Sequence, residues 1–393
     1  VISYLAVFVV AAVVTFATTP LVRRFVIRAG AIYQPNDRTV HRVPLPTMGG
    51  IAMYVGLIAA LLLSQVLPFF DSINAVSTSV ATLVTCSLML GLGIIDDTRG
   101  TTALTKFVAQ VFIAGVLVLF GVQLQYLWLP GFVGVLYLSG DLAVILTIVF
   151  TVAVPNAVNL IDGLDGLAAG MVAIATAAFF TYMVRGGDPF GLASEAALLS
   201  AITCGVCIGF LPWNFHPAKI FMGDAGSMLL GMLLAIASIE GVGRSLAPPT
   251  PGDIVAIGGT VAAPIAVAVL VLLVPFLDVA LAIIRRTRRG QGIGHADKEH
   301  LHHYLMDIGH GHRQAVLLMY LWSALITGGA LAVGLINGRL IVGLIIVGAA
   351  GLFLVTALPR LARGRRGEAT PPAEAVETPA GPDAPADNVS EGG

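Results

Sequence analysis

Five aspartates stand where apolar runs of the sequence meet polar segments. Asp96 and Asp97 end one run in LGLGIIDDTRG; Asp162 and Asp165 follow another in NAVNLIDGLDGLAAG; Asp224 precedes a third in WNFHPAKIFMGDAGS. Charge beside a long apolar run is costly and needs a purpose. Neighbouring carboxylates repel unless a cation neutralises them. An oxygen-rich set without cysteine suits Mg²⁺ or Mn²⁺ better than zinc, and Mg²⁺ characteristically joins a few carboxylates to substrate phosphates. The plainer alternative is that each acid caps a helix or pairs with a nearby arginine. Asn156 and Asn159 add amide groups beside the acids. Gly163, Gly166, Gly223 and Gly226 are expected to let backbone approach a ligand closely.

A second polar constellation is RRTRRGQGIGHADKEHLHHYLMDIGHGHRQ, which holds six of the eight histidines. His300, His302 and His303 form H-x-H-H behind His295 and Asp297. Zinc binding is one reading. Histidine and arginine donors around a diphosphate is the other, and the acids elsewhere favour it. No P-loop or G-x-G-x-x-G is present, which argues against Walker or Rossmann nucleotide sites. Cys204 and Cys207 lie in the apolar run ALLSAITCGVCIGFL and read as small helix-packing residues. Asp278 falls two helical turns before Arg285, a spacing that suits an ion pair.

The elements that position these residues are membrane spans. Hydrophobic residues make up 57% of the 393 and charged residues 11%, less than half the charge of a soluble domain. A net charge of −1 gives no field for nucleic acid. Crossing the hydrocarbon core takes about 20 apolar residues. Eleven such runs lie near 2–20, 49–69, 78–95, 104–121, 141–158, 167–184, 194–212, 227–243, 257–284, 315–335 and 339–358. No basic residue precedes the first run, and Arg23, Arg24 and Arg28 follow it, so the N-terminus is expected outside. The inside segments then carry 18 of the 21 Lys and Arg, leaving only Arg185, Arg244 and Arg339 outside. Every acid pair and the histidine loop fall on this cytoplasmic side. Segment 122–140, broken by Pro130 and three glycines, is expected to be an external hairpin or interfacial segment. The expected organisation is a polytopic membrane domain over 1–358. A basic juxtamembrane stretch and disordered cytoplasmic tail follow over 359–393.

In order and placement, DDTRG, NAVNLIDGLDGLAAG, FMGDAGS and ADKEHLHH resemble the polyprenyl-phosphate N-acetylhexosamine-1-phosphate transferase family. HRVPLPTMGG and PFLDVALAIIRR extend the resemblance over about 20–310. ADKEHLHH is similar to the WecA/TagO-like branch, which uses UDP-GlcNAc. The resemblance implies an all-α, multi-pass protein of the bacterial inner (plasma) membrane. It further implies transfer of GlcNAc-1-phosphate from UDP-GlcNAc to a polyprenyl phosphate with release of UMP, the start of a cell-envelope polysaccharide. It implies catalytic roles for Asp96, Asp97, Asp162, Asp165, Asp224 and His300, with Mg²⁺ (or Mn²⁺) on Asp97 and Asp224. Asp96 is the family's proposed base or nucleophile; by the resemblance, Asp162 and Asp165 would help bind nucleotide or metal. Substrate contacts are implied at Asn156, Asn159, Asn214, Phe221, His302, His303, His41 and Arg42. Phe221 either stacks on uracil or is a core aromatic. A homodimer is a further expectation from the family. The competing readings are a phospho-N-acetylmuramoyl-pentapeptide transferase, a nucleotide-sugar transporter or lipid flippase, and a structural membrane protein. A transporter would gather polar residues near the midplane and show repeats.

Overall fold

A computed structural model describes residues 2–33, 44–70, 75–129, 134–185, 193–242, 311–335 and 339–365. Their helices are α1 (Ile2–Arg28), α2 (Gly50–Val66), α3 (Ala75–Arg99), α4 (Ala103–Leu119), α5 (Gly140–Ile161), α6 (Leu167–Arg185), α7 (Ala193–Asn214), α8 (Gly223–Val242), α9 (His312–Leu335) and α10 (Arg339–Arg365). Six are long and apolar enough to cross a membrane: Ile2–Arg28, Thr78–Arg99, Gly140–Ile161, Leu167–Arg185, Glu195–Asn214 and Gly223–Gly241. Ten of the eleven expected runs coincide with helices. The run 257–284, with Asp278, lies outside the described residues, as does the tail beyond 365. Helix α10 continues through Arg365, so the basic stretch expected from 359 begins as its last turns.

The all-α expectation needs one amendment. Two short antiparallel ladders accompany the helices: β1 (Ile32–Tyr33) with β2 (Leu45–Pro46), and β3 (Tyr126–Leu129) with β4 (Gly134–Tyr137). The second pair is the hairpin expected within 122–140, with Tyr126 opposite Tyr137 and Leu129 opposite Gly134. Its aromatic and aliphatic residues suit a pleated ribbon. Leu124 N donates to Thr147 Oγ1 of α5 at 2.9 Å, seating the ribbon's first strand on the bundle.

Helix α8 is the hub. It is apolar on every side and buried along nearly its whole length, packing on α3, α5, α7 and α2. Lipid tails are as apolar as leucine, so close backbone approach replaces the hydrophobic drive between spans. Gly226 of α8 and Gly50 of α2 meet backbone to backbone, where a Cβ on either would collide with the other helix or its own turn. Helix α1, by contrast, turns Leu5, Val9, Val13, Phe16 and Leu21 outward, as a lipid-facing surface would. The hub fixes where Asp224, at its first turn, must lie.

Candidate active site

Asp97 ends α3 directly over the start of α8. Its Oδ1 accepts Asp224 N at 2.9 Å and its Oδ2 accepts Ala225 N at 3.1 Å. The first N–H groups of a helix have no internal partner, and an anion there also meets the positive end of the helix dipole. Asp97 thus caps a helix, as the plainer reading allowed, but the helix is α8 and not its own. Gly223 makes the approach possible: its φ is +71°, and a Cβ there would strike Asp97 and Thr47.

The neighbouring acids converge on one cation, Lys106, in the first turn of α4. Its Nζ lies 2.5 Å from Asp96 Oδ2 and in direct contact with Asp224 Oδ2. The other oxygen of Asp96 accepts Thr101 N at 2.7 Å and Thr101 Oγ1 at 2.5 Å. Thr102 caps α4 through Thr105 N, which holds the lysine's helix in place. Asn159 Nδ2 donates to Asp224 Oδ1 at 2.8 Å and Ser227 Oγ at 2.9 Å. Asp224 retains the most solvent contact, with 29% of its side chain exposed against 14% for Asp96 and 17% for Lys106.

Asp162, just past the end of α5, faces the same cluster. Burial, then the charges of Asp224, Asp97 and Asp165, push its carboxyl well above the usual carboxylate range. Negative charge here exceeds what Lys106 neutralises. Carboxylate oxygens with an excess negative charge and an amide alongside are a fitting donor set for Mg²⁺.

Asp165 lies on the other side of the same turn and is 2% exposed. Its Oδ2 is 2.7 Å from His216 Nδ1 and accepts Ala218 N at 3.1 Å. Its own N–H donates to His312 Nε2 at 3.2 Å. Asn214, also buried, accepts Gly166 N at 3.1 Å and donates to Ile220 O at 3.1 Å. Phe221 exchanges backbone bonds with Pro46 and Gly49. Asn156 donates to Gln110 Oε1 at 2.6 Å and to Val152 O at 2.8 Å.

The structure therefore brings Asp96, Asp97, Asn159, Asp162 and Asp224 together. It places Asp165 and Asn214 in an adjoining framework, and turns Asn156 toward Gln110. His41, Arg42, His300, His302 and His303 lie outside the described residues. One expectation is corrected. Protein, not open space, occupies the room freed at Gly223, Gly226 and Gly166: Asp97, Gly50 with Met222, and Phe215 with Tyr320 respectively. Gly163 alone of the four is exposed. Sequence reasoning missed Lys106, Thr101, Ser227, Gln110, His216 and His312. Lys106 had a signal, being one of three lysines and standing at the start of an apolar run. His312 stood only among the six histidines of one loop, and the others had no signal beyond their polarity.

Residues 79–242 match the model of glycosyl transferase family 4, a span that includes all five aspartates and Lys106. The chain is 43% identical to a decaprenyl-phosphate N-acetylglucosaminephosphotransferase of Mycolicibacterium smegmatis, over 92% of this chain and 89% of the relative. It is 42% identical to the protein of that name from Mycobacterium tuberculosis, over 90% and 88%. Similarity to a phospho-N-acetylmuramoyl-pentapeptide-transferase of Mycobacterium bovis is lower, 34% identity over 58% of this chain and 74% of the relative. With the acids of three helix ends gathered about one lysine, and relatives that align along nearly the whole chain, the protein belongs to the polyprenyl-phosphate N-acetylglucosamine-1-phosphate transferases of glycosyl transferase family 4.

Proposed function

We propose that this protein transfers GlcNAc-1-phosphate from UDP-GlcNAc to a polyprenyl phosphate, decaprenyl phosphate in particular, with Mg²⁺ as cofactor. The observation that carries the reading is the acid–lysine cluster at the mouth of α8, in a chain so similar to decaprenyl-phosphate transferases. The membrane arrangement is eleven spans in the plasma membrane, with the N-terminus outside and the cluster on the cytoplasmic face, as the 18 basic residues on that side argue. A long prenyl tail then stays among lipid while its phosphate reaches the depth of Asp96 and Asp224, where a cytosolic sugar nucleotide arrives.

The reaction forms one P–O bond and breaks another. An oxygen of the lipid phosphate attacks the β-phosphorus of UDP-GlcNAc, and the bond from that phosphorus to the bridging oxygen breaks. UMP leaves with the bridging oxygen. Such transfers depend mainly on alignment and charge neutralisation. Asp224 and Asp97 are the residues that would hold Mg²⁺, which supplies charge neutralisation to the diphosphate when bound. Lys106 is placed to exchange one carboxylate for a phosphate oxygen and so align the transferring group. Asp96 has both oxygens engaged, one by Lys106 and one by Thr101, so its work is to hold Lys106 more than to accept a proton. Little base is needed, because a phosphomonoester with a second pKa of about 6 is largely dianionic near neutrality. Asp97 holds the start of α8, and with it Asp224, in register.

The test is one assay. Purified protein with labelled UDP-GlcNAc, decaprenyl phosphate and Mg²⁺ is expected to give labelled lipid and an equal amount of UMP. Product only with UDP-MurNAc-pentapeptide would move the protein to the muramoyl branch. Flux of nucleotide sugar without UMP would make it a transporter.

A further inference from the structure

Asp165, His216 and His312 offer a carboxylate oxygen and two ring nitrogens within 4.8 Å of one another, a spacing compatible with a metal ion. The ring geometry speaks against one. The two imidazoles are stacked, with centroids 4.2 Å apart and planes 22° from parallel. Ring lone pairs lie in the ring planes, so those of two nearly parallel rings do not converge on a common point. Peptide groups already engage one oxygen of Asp165 and one nitrogen of His312: Ala218 N–H points at Asp165 Oδ2, and Asp165 N–H at His312 Nε2.

What the trio does is tie two pieces of chain to one turn. His216 and Ala218 come from the segment between α7 and α8, and His312 is the first residue of α9. Arg313 Nε donates to His216 O at 3.1 Å, closing the group from outside. Tyr320 hydroxyl donates to Gly166 O, and Asn214 accepts Gly166 N at 3.1 Å. Apart from the Arg313 bond, these ties fall on Asp165 or Gly166. Three residues earlier on the same turn, Asp162 faces Asp97 and Asp224. Fixing the far end of so short a turn fixes the near end.

We propose that His312 and His216 are positioning residues, a stacked latch that locks the 162–166 turn so that Asp162 stays against the acid–lysine cluster where the sugar diphosphate binds. The latch needs His312 to present a bare Nε2 and His216 to present an Nδ1–H. Glutamine can offer a carbonyl oxygen in place of Nε2, and asparagine an amide N–H in place of Nδ1–H. Alanine offers neither. This rests on the transferase reading for its kinetic consequence, but not for its structural one.

The experiment compares H312A, H312Q, H216A and H216N in full-length protein. Hydrogen exchange is followed in peptides covering 162–166 without substrate, and KM is measured separately for UDP-GlcNAc and decaprenyl phosphate. In H312A and H216A, protection of the turn is expected to fall and KM for UDP-GlcNAc to rise about tenfold, the scale of losing the partner of one buried donor. KM for the lipid should stay within about twofold, and H312Q and H216N should recover most of both losses. The latch is wrong if H312Q behaves like H312A, if protection is unchanged in the alanine variants, or if both KM values rise together. Stoichiometric Zn²⁺ in the wild type, lost in H216A and H312A, would replace it with a metal site. Should wild type release no UMP from UDP-GlcNAc, the transferase reading fails, while protection lost in H312A and regained in H312Q still supports the tie.

Discussion

Asp162 and Asp165 stand three residues apart in the repeat DGLDG and live in opposite circumstances. Asp165 is almost wholly buried and answered by peptide N–H and imidazole. Among the described residues, no hydrogen bond reaches the Asp162 carboxylate, and three other aspartates raise its proton affinity. A carboxylate oxygen already held by peptide and imidazole of its own chain, as Asp165 Oδ2 is, acts as framework, because removing its partners would cost more than a ligand returns. One left in surplus negative charge is a place where a cation gains. Asp97 and Asp224 differ more mildly: each Asp97 oxygen takes one N–H of α8 and keeps lone pairs to spare, whereas Asp224 shares one lysine and one asparagine and keeps 29% of its side chain exposed.

If that contrast is right, the largest loss comes from the exposed, shared acid. Asp224→Asn is expected to lower kcat by about 10³-fold or more, the scale of removing a charge that acts on the transferring group. Thermal stability should stay close to wild type, because Asn159 and Lys106 each have other partners. A loss below about tenfold in the labelled-lipid assay would place Asp224 in the framework with Asp165. Next comes Lys106→Met, expected to cost about 10²-fold in kcat/KM. Lys106→Arg should recover part of this, since the charge survives although its shape differs. Equal activity of the methionine variant would leave the lysine only the task of neutralising Asp96 and Asp224.

The surplus charge itself can be titrated. With its carboxyl raised, Asp162 keeps its proton to a higher pH than an ordinary aspartate, whose value is about 4. An entering divalent cation favours the charged form, brings the pKa down, and releases a proton wherever the pH lies between the two values. Calorimetric titration of Mg²⁺ in buffers of different ionisation enthalpy should therefore show proton release, smaller in Asp162→Asn. The linkage to stability has a fixed sign as well. The native state binds this proton more tightly than the unfolded chain, so its contribution is full at low pH. It falls as pH rises from about 4 through the raised native value. Asp162→Asn should flatten that slope in urea titrations across the same window.

How much of this was legible depends on what kind of signal each residue leaves. Charge at the edge of an apolar run is conspicuous, so Asp96, Asp97, Asp162, Asp165 and Asp224 announced themselves, and ten of the eleven apolar runs are helices. Lys106 carries the same signal, but a lone basic residue at the start of a span also satisfies the positive-inside rule, and that reading absorbed it. Glycine is ambiguous in another way. Gly223 and Gly226 mark close approach in sequence, yet whether ligand or protein approaches depends on helices far along the chain, here Asp97 of α3 and Gly50 of α2. His312 was legible only as one of a loop's six histidines. Its separate role comes from stacking on His216, nearly a hundred residues away, which no local pattern encodes.

Asn156 gives the smallest effect and the sharpest separation of framework from site. The family resemblance sets it among the substrate contacts with Asn159, one helical turn away on α5. In the fold the two diverge. Asn159 reaches Asp224 and Ser227, whereas the Asn156 amide donates to Gln110 Oε1 and to its own helix at Val152 O. Gln110 is 1% exposed, so the pair satisfies buried amide groups between α4 and α5. Asn156→Ala should therefore lower stability by about 1–3 kcal/mol, because Gln110 is left without its partner. Its effect on kcat/KM should stay within about threefold in the fraction that folds. The double variant Asn156→Ala with Gln110→Leu should regain part of the stability, since removing both members of a buried polar pair is cheaper than removing one. Asn159→Ala makes the contrast. It should lower activity more than stability, because what it releases is the carboxylate of Asp224. If the alanine variant at 156 instead loses activity as deeply as that at 159, the amide pair belongs to the substrate pocket, and the border drawn between the two regions must move one helical turn toward the middle of α5.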